Sequence, residues 1–442
     1  MHRDVHNGNG LMQQQQTLLG LVSRTASWPQ RLEAWSTSAA IPIAVSYCQS
    51  VEHLRARLDD GDTHQGVLLD GDLSFVDRDL LTDVTGAGAV AVVIEGTRRR
   101  RPWDALGAAA VLPADFDQPQ LLEVLRGVLE SAAPARRERP LAPVVAVTGP
   151  GGTGASVSAI ALSQGLAAAR RRVLLADCCL HAEQAMLHNA YGSQPNIVDL
   201  VELHAERTPE RREMRQLAVG VVERGYYLLP GIARARHWSR IRSGSLEAAL
   251  RSVRSAFDVV VADVDADVEG EAQGGSIEVE ERNVLARTVL AEAAAVMVVG
   301  QSTMKGVHAM VRALVELLEF GIAGDRVLPV VNQAVADRTV RADLSRAVRH
   351  LLDAAASGGG VPGAAAVGPA LFAPTVQLEE HLRERDALDD AWPGLLAGAA
   401  TAVLDRAPAA PRSAGSPEPV AAGSLGHWRN GPGADGPTGA PR

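Results

Sequence analysis

Val144-Val145-Ala146-Val147-Thr148-Gly149-Pro150-Gly151-Gly152-Thr153-Gly154-Ala155-Ser156 decides how this chain is read. A β-branched apolar run ends in four glycines within six residues, and an apolar run of helical character (Val157, Ile160, Ala161, Leu162, Leu166) follows Ser156. Strand, Gly-rich turn and helix N-terminus in that order aim backbone N–H groups at whatever anion sits there. Two phosphate-binding spacings fit. Gly149, Gly151 and Gly154 satisfy G-x-G-x-x-G, the dinucleotide pattern. Gly149, Gly154 and Ser156 satisfy G-x-x-x-x-G-K-[ST], except that Ala155 stands where the lysine belongs. The glycines and the hydroxyl are present; the cation is not.

Composition narrows what can fill that gap. The chain has 442 residues, enough for two or three domains, and only 3% aromatics, so its cores must be built from Ala, Val and Leu. Lys305 is the single lysine among 43 basic residues. A drift from Lys towards Arg would have left Arg at position 155, so Ala155 is not explained by it. A net charge of −9 argues against a general nucleic-acid binder. Cys48, Cys178 and Cys179 are too few and too oddly spaced for a disulfide framework or a cysteine-based zinc site, which points to a reduced, cytoplasmic protein. No run of about 18 apolar residues suggests a membrane span, and the Gln-rich start lacks the pattern of a signal peptide.

Upstream of the loop, residues 1–40 read as a flexible extension in which Leu11, Met12, Leu18, Leu19, Leu21 and Val22 could line one amphipathic helix. From 41 to 130 the pattern alternates. Strands are predicted at 42–46, 66–70, 89–94 and 110–112, and helices at 51–58, 79–84, 103–108 and 118–129. That alternation implies a doubly wound parallel sheet of flavodoxin-like type. Residues 131–143 are Pro- and Arg-rich and read as a linker. Downstream, strands are predicted at 173–177, 257–263, 295–300 and 327–331, ending near Asp177, Asp263, Gly300 and Asn332. Arg170, Arg171 and Arg172 lie at the far end of the helix after the loop, about 20 Å away, and cannot replace its lysine. His188, His204 and His237 read as surface residues, and the tail 407–442 as disordered.

The first block resembles the receiver domain of response regulators, with Asp70 at the phospho-acceptor position. It lacks the acidic pair after the first strand, read here as Tyr47-Cys48-Gln49, and the lysine before the last helix, so a degenerate receiver is expected. Residues 144–406 resemble the MinD/ParA family of deviant Walker-A ATPases. More narrowly, the order of domains is similar to the CpaE/TadZ-like branch and the actinobacterial septum-site-determining group. The family loop KGGxGK[ST] corresponds to Pro150-Gly151-Gly152-Thr153-Gly154-Ala155-Ser156, so both lysines are gone. Asp177 matches the first switch-I carboxylate, with Cys179 in place of the second. Asp263 matches the Walker-B aspartate, and Asn332 the adenine-side asparagine. The resemblance implies Asp177 and Asp263 as catalytic. It implies Gly151, Gly152, Thr153, Gly154, Ala155, Ser156, Val157 and Asn332 as nucleotide contacts, and Ser156 and Asp263 as magnesium ligands. Residues 371–396 match its closing segment, a Pro-containing loop leading to a helix on the sheet.

By that resemblance the protein is a spatial organiser, for the septum or for a Tad-type pilus or secretion system, recruited to septum or pole. Its expected partners are a second copy of itself and division or secretion proteins, with no specific nucleic acid. Contact with the membrane is expected to be indirect. ATP or ADP with Mg2+ is expected to bind weakly, because one charge pair at about 4 Å is worth on the order of 4 kcal/mol at an effective dielectric near 20. Seven carboxylates between Asp265 and Glu281 would repel phosphate further if they lay near it. Two other readings stay open: a slow Mg2+-dependent ATPase, and a Rossmann-type dinucleotide binder in which Asp177 holds the ribose.

Overall fold

The computed structural model describes residues 16–406 except 39, 42, 60–65, 97, 99, 131–139, 191–194, 376–380, 383–385 and 389–390. Leu11, Met12, most of the predicted linker and the tail from 407 lie outside the described residues.

The first sheet holds β1 (Gln16–Leu21), β2 (Ile43–Cys48), β3 (Gly66–Asp70), β4 (Val90–Glu95) and β5 (Ala110–Pro113), in the order β2-β1-β3-β4-β5. Every pairing is parallel, and this is the flavodoxin-like order. β1 corrects the reading of 1–40 as an extension carrying an amphipathic helix. Leu18, Leu19 and Leu21 are buried in a central strand flanked on both sides. A strand covered on both faces is apolar without alternation, so a short run such as Leu18-Leu19-Gly20-Leu21 carries no period with which to separate strand from helix. The helix Trp28–Thr37, with Trp28 and Leu32 buried, belongs to the same unit.

The second sheet has eight strands: β6 (Val144–Thr148), β7 (Val173–Cys178), β8 (Val219–Val221), β9 (Tyr226–Leu229), β10 (Val259–Val264), β11 (Ala293–Gln301), β12 (Val327–Ala334) and β13 (Leu371–Pro374). Their order is β13-β12-β11-β6-β10-β7-β9-β8, parallel except for β8 against β9. The strands predicted after the loop are present. β8, β9 and β13 were not predicted; each is a short strand at or next to an edge of the sheet. The closing segment therefore divides, its start adding edge strand β13 and its end forming the helix Ala391–Leu404. β6 is buried along its whole length, and from its carboxyl end the chain turns towards β7. The chain leaving β11 turns the other way, to β12. The crevice between those ends is where ligands of open α/β sheets bind.

The helix Ala155–Ala168 lies between the sheet and Ala391–Leu404, which is why it is apolar on every side and nine consecutive residues, Ser158 to Leu166, are buried. A fully buried Ile or Leu there contributes about 1.5–3 kcal/mol. Gly165 permits the contact, since a Cβ would overlap the Pro393 carbonyl. Gln164 ties the closing segment down, donating to Leu388 O (2.9 Å) and accepting from Leu388 N (2.8 Å).

The two sheets are joined through the helix Arg78–Gly86. Asp79, 5% exposed, accepts from Ser245 N (2.9 Å) and Ser245 Oγ (2.6 Å) in the first turn of the helix Ser243–Ala256. It thus supplies from another unit the acceptor that the first-turn N–H groups lack. Arg78 adds bonds to His204 O (2.7 Å) and Thr208 Oγ1 (2.7 Å). Asp79→Ala should cost about 2–3 kcal/mol, because buried donors lose a charged acceptor. In a calorimetric scan the early-melting unit should separate from the late one; a single unshifted transition would count against this role.

Candidate functional site

The loop leaves β6 at Gly149 and enters the helix at Ala155. At Gly149 a Cβ would overlap the Val299 carbonyl oxygen and stand 2.8 Å from Thr153 Oγ1, so only glycine lets the chain turn this close to β11. Gly154 has φ +86°, and a Cβ there would overlap the Asn332 amide. Beside Gly151 and Gly152 a Cβ would meet nothing within 4 Å, and both are exposed, so the outer side of the loop is open. Thr153 is turned inward, 5% exposed, donating from Oγ1 to Pro150 O (2.8 Å). Ala155 and Ser156 are half-buried at the helix start, and Val157 packs against the core under the loop.

Three neutral amides reach this loop. Gln301, ending β11, donates to Gly152 O (2.8 Å); Asn332, near the end of β12, donates to Thr153 O (2.9 Å); Gln184 donates to Ser156 O (2.9 Å). Asn332, 6% exposed, braces the loop through this bond. Lys305 stays exposed in the first turn of Met304–Phe320, and the residue of that segment on the loop is Gln301. Arg172 pairs with Asp258 at 2.8 Å, away from the loop.

Asp177 and Asp263 end up side by side because β7 and β10 are adjacent and these two residues are register partners. Asp177 is wholly buried; its oxygens accept from Cys179 N (3.2 Å) and Gln184 N (2.8 Å). Both oxygens accept from the turn 178–184. Asp263, 2% exposed, accepts from Gln184 Nε2 (2.7 Å), and the Ser156 hydroxyl stands near enough to favour its charged form. Burial raises the Asp177 carboxyl to about 7, with the neighbouring Asp263 charge adding to it. Burial likewise raises Asp263 to about 6, against the hydrogen bonds from Gln184 and Ser156. Asp265 accepts from Leu180 N (2.6 Å) on the same edge. The rest of the acidic insert is folded rather than loose. It forms the short helices Glu271–Gly274 and Ile277–Arg282, with Arg282 on Asp267 (3.2 Å) and Arg287 on Glu280 (3.5 Å).

Gln184 escaped the sequence reading. It stands in no phosphate or metal pattern, and only the turn after β7 carries it back between the two aspartates. Two histidines read as surface residues are also internal. His188 donates from Nδ1 to Gln184 O (2.7 Å), which leaves Nε2 to accept from Tyr226 OH (2.6 Å). His204, fully buried, bonds Leu200 O (2.8 Å) and Ser252 Oγ (2.9 Å), and desolvation lowers it to about 4. Each reaches back one helical turn to a carbonyl, a contact invisible in composition.

In the receiver-like unit, Asp70 ends β3 as expected and is 4% exposed. It accepts from Ser23 N (3.0 Å) and Asp72 N (3.0 Å). The strand that should deliver an acidic pair is β1, not β2, and it runs into Val22-Ser23-Arg24. The pair is absent there too, and β5 still runs into Pro113-Ala114.

The raised carboxyls give a pH dependence. The folded chain holds the Asp177 proton to about pH 7 and the unfolded chain only to 3.8. Its stabilising effect is therefore complete below 3.8 and is lost as pH rises through 7. His204 works oppositely, since its neutral form is favoured by folding, and its unfolded form sheds its remaining half proton between pH 6.5 and 8. Between pH 6.5 and 8 the unfolding free energy should still fall, by about 0.5 kcal/mol. Asp177→Asn should flatten that slope in urea titrations; a rise in stability over the interval would refute the assignment.

No protein-family model matches the chain, and no curated protein matches it. Among solved structures it is similar to the cell division ATPase MinD of Pyrococcus furiosus, at 16% identity and TM-score 0.43, over 60% of this chain and 100% of that one. It is similar to a ParA family ATPase from Chlorobium tepidum, at 15% and 0.41, over 60% and 98%. It is also similar to the septum site-determining protein MinD of Pyrococcus horikoshii in complex with Mg-ADP, at 15% and 0.40, over 60% and 93%. The architecture itself is a flavodoxin-like parallel sheet followed by a larger, mostly parallel sheet with a glycine loop at its switch point. Among the described residues no helix is long and apolar enough to cross a membrane.

Proposed function

We propose that this chain is a relative of the MinD/ParA family, close to its CpaE/TadZ-like branch, acting as a spatial organiser with little or no ATP hydrolysis. The observation that carries the reading is Ala155 at the phosphate-lysine position, in a loop reached by the neutral amides of Gln301, Asn332 and Gln184. The cradle fits a phosphate: the space beside Gly151 and Gly152 is open, and the loop amides lie at a helix N-terminus. Ser156 and Asp263 lie near each other and would hold Mg2+, which when bound neutralises phosphate charge. To reach Asp263 a cation must displace Gln184 Nε2. Gly151, Gly152 and the loop amides would bind and orient the phosphates, and Asn332 would keep the loop in shape. With Pro150 and Ala155 at the two lysine positions, no side chain of the loop supplies the positive charge that phosphoryl transfer needs.

In this reading the protein works in the cytoplasm, at septum or pole, with a second copy of itself and with division or Tad-type secretion proteins, and touches membrane only through them. The Ser156–Asp263 pair favours one alternative, a slow Mg2+-dependent ATPase. Calorimetry with ATP and ADP in Mg2+, together with phosphate release, separates the two. Weak binding and turnover that Asp263→Ala leaves unchanged support the organiser; brisk turnover abolished by Asp263→Ala overturns it.

A further inference from the structure

The second sheet gathers donors for one cation at the carboxyl ends of β7 and β10. Asp177 and Asp263 face each other in register, and Cys179 follows Asp177 by two residues. One oxygen of each carboxylate and Cys179 Sγ all lie within 4.8 Å of one another, and all three residues are buried. A tetrahedral zinc ion, with bonds of about 2.3 Å to sulfur and about 2.1 Å to oxygen, holds its donors roughly 3.5 Å apart. The cluster would need to contract by about an ångström to match that spacing. A thiolate with two carboxylates suits a borderline-soft dication, not magnesium, which prefers six oxygens.

Gln184 points into the same space. It is wholly buried, its backbone N–H bonded to Asp177 and its amide nitrogen to Asp263, so the side chain spans the two carboxylates. Among the described residues its amide oxygen has no hydrogen-bond partner. Covalent geometry keeps that oxygen within about 5 Å of the Asp263 carboxylate. An unpaired buried carbonyl costs about 1–3 kcal/mol, and none of the four groups here brings a positive charge.

We propose that Asp177, Cys179 and Asp263, completed by the amide oxygen of Gln184 once that amide turns over and its nitrogen releases Asp263, bind a thiophilic divalent cation of the zinc class without any nucleotide. Binding expels the thiol proton, and any proton held by the carboxylates, to solvent. The site does not depend on the nucleotide reading, because it needs no phosphate and uses Cys179, which the Ser156–Asp263 pair does not. It also differs from the zinc frameworks that cysteine spacing argues against, since a single thiol enters it. Cys178 packs in the core on the opposite sheet face, with Ile197 and Leu200, and Cys48 belongs to the other sheet.

The test uses the full chain, stripped with chelator and titrated with Co2+ in the absence of nucleotide. One cobalt per chain should produce a sulfur-to-cobalt charge-transfer band that zinc abolishes and a large excess of Mg2+ does not. Cys179→Ser should remove the band and Cys178→Ser should keep it. Asp177→Asn should weaken binding roughly tenfold or more. No band in the wild-type protein, or a band that survives Cys179→Ser, overturns the proposal. If Cys179→Ser does not fold, X-ray absorption of the zinc-loaded wild type decides: one sulfur in the shell supports the site, and none or more than one rejects it.

Discussion

Gly149→Ala is expected to cost more than about 4 kcal/mol, at the top of the range for single substitutions. The added methyl would overlap the Val299 carbonyl and come within 3.2 Å of its carbon, both backbone atoms of β11. β11 pairs with β6 through Val298 and Thr148, so relief requires parting two central strands of the eight-stranded sheet. No rotamer change can absorb that. Gly151→Ala, two residues on, meets nothing within 4 Å and should stay within about 0.5 kcal/mol of wild type. Denaturant midpoints of the pair, read beside each other, check the claim. Equal midpoints would mean that the loop does not press on β11 as described.

Ala155→Lys should tighten ATP and ADP binding roughly a hundredfold while leaving hydrolysis slow. A unit charge about 4 Å from phosphate is worth on the order of 4 kcal/mol at an effective dielectric near 20, and an open loop lowers that, so about 2–3 kcal/mol is a reasonable gain. Position 155 is the first residue of the helix and half-buried, so the stem can lie along the loop while the ammonium reaches its open side. Turnover stays low because Pro150 still stands at the other lysine position. Calorimetry against the wild type is decisive. Unchanged affinity would show that a missing charge is not what limits this site, and would point instead to the Gln184 amide lodged on Asp263.

How much of the site was legible follows from where its groups come from. Ala155, Ser156 and the glycines are consecutive, and their spacing alone states the chemistry. Asp177 and Asp263 could be named, since each ends an apolar strand, but their contact could not. That the Asn332 amide braces Thr153 was not legible, because a residue's position near a strand end does not say which way its side chain bonds. Gln184 was missed for the same reason: nothing local distinguishes it from any exposed glutamine.

By itself the chain's sequence determined the alternation of strands and helices, the division into two parallel-sheet units, and a phosphate-type loop without its cation. These are properties of neighbours along the backbone, set by side-chain period, turn chemistry and charge. Tertiary structure alone decided that Leu18-Leu19 forms a central strand and that His188 and His204 are internal. It alone brought Asp177, Cys179, Asp263 and Gln184 together. Parallel strands meet through crossovers, so which residues touch depends on strand order and register, and in this chain partners 86 residues apart share one pocket of low dielectric.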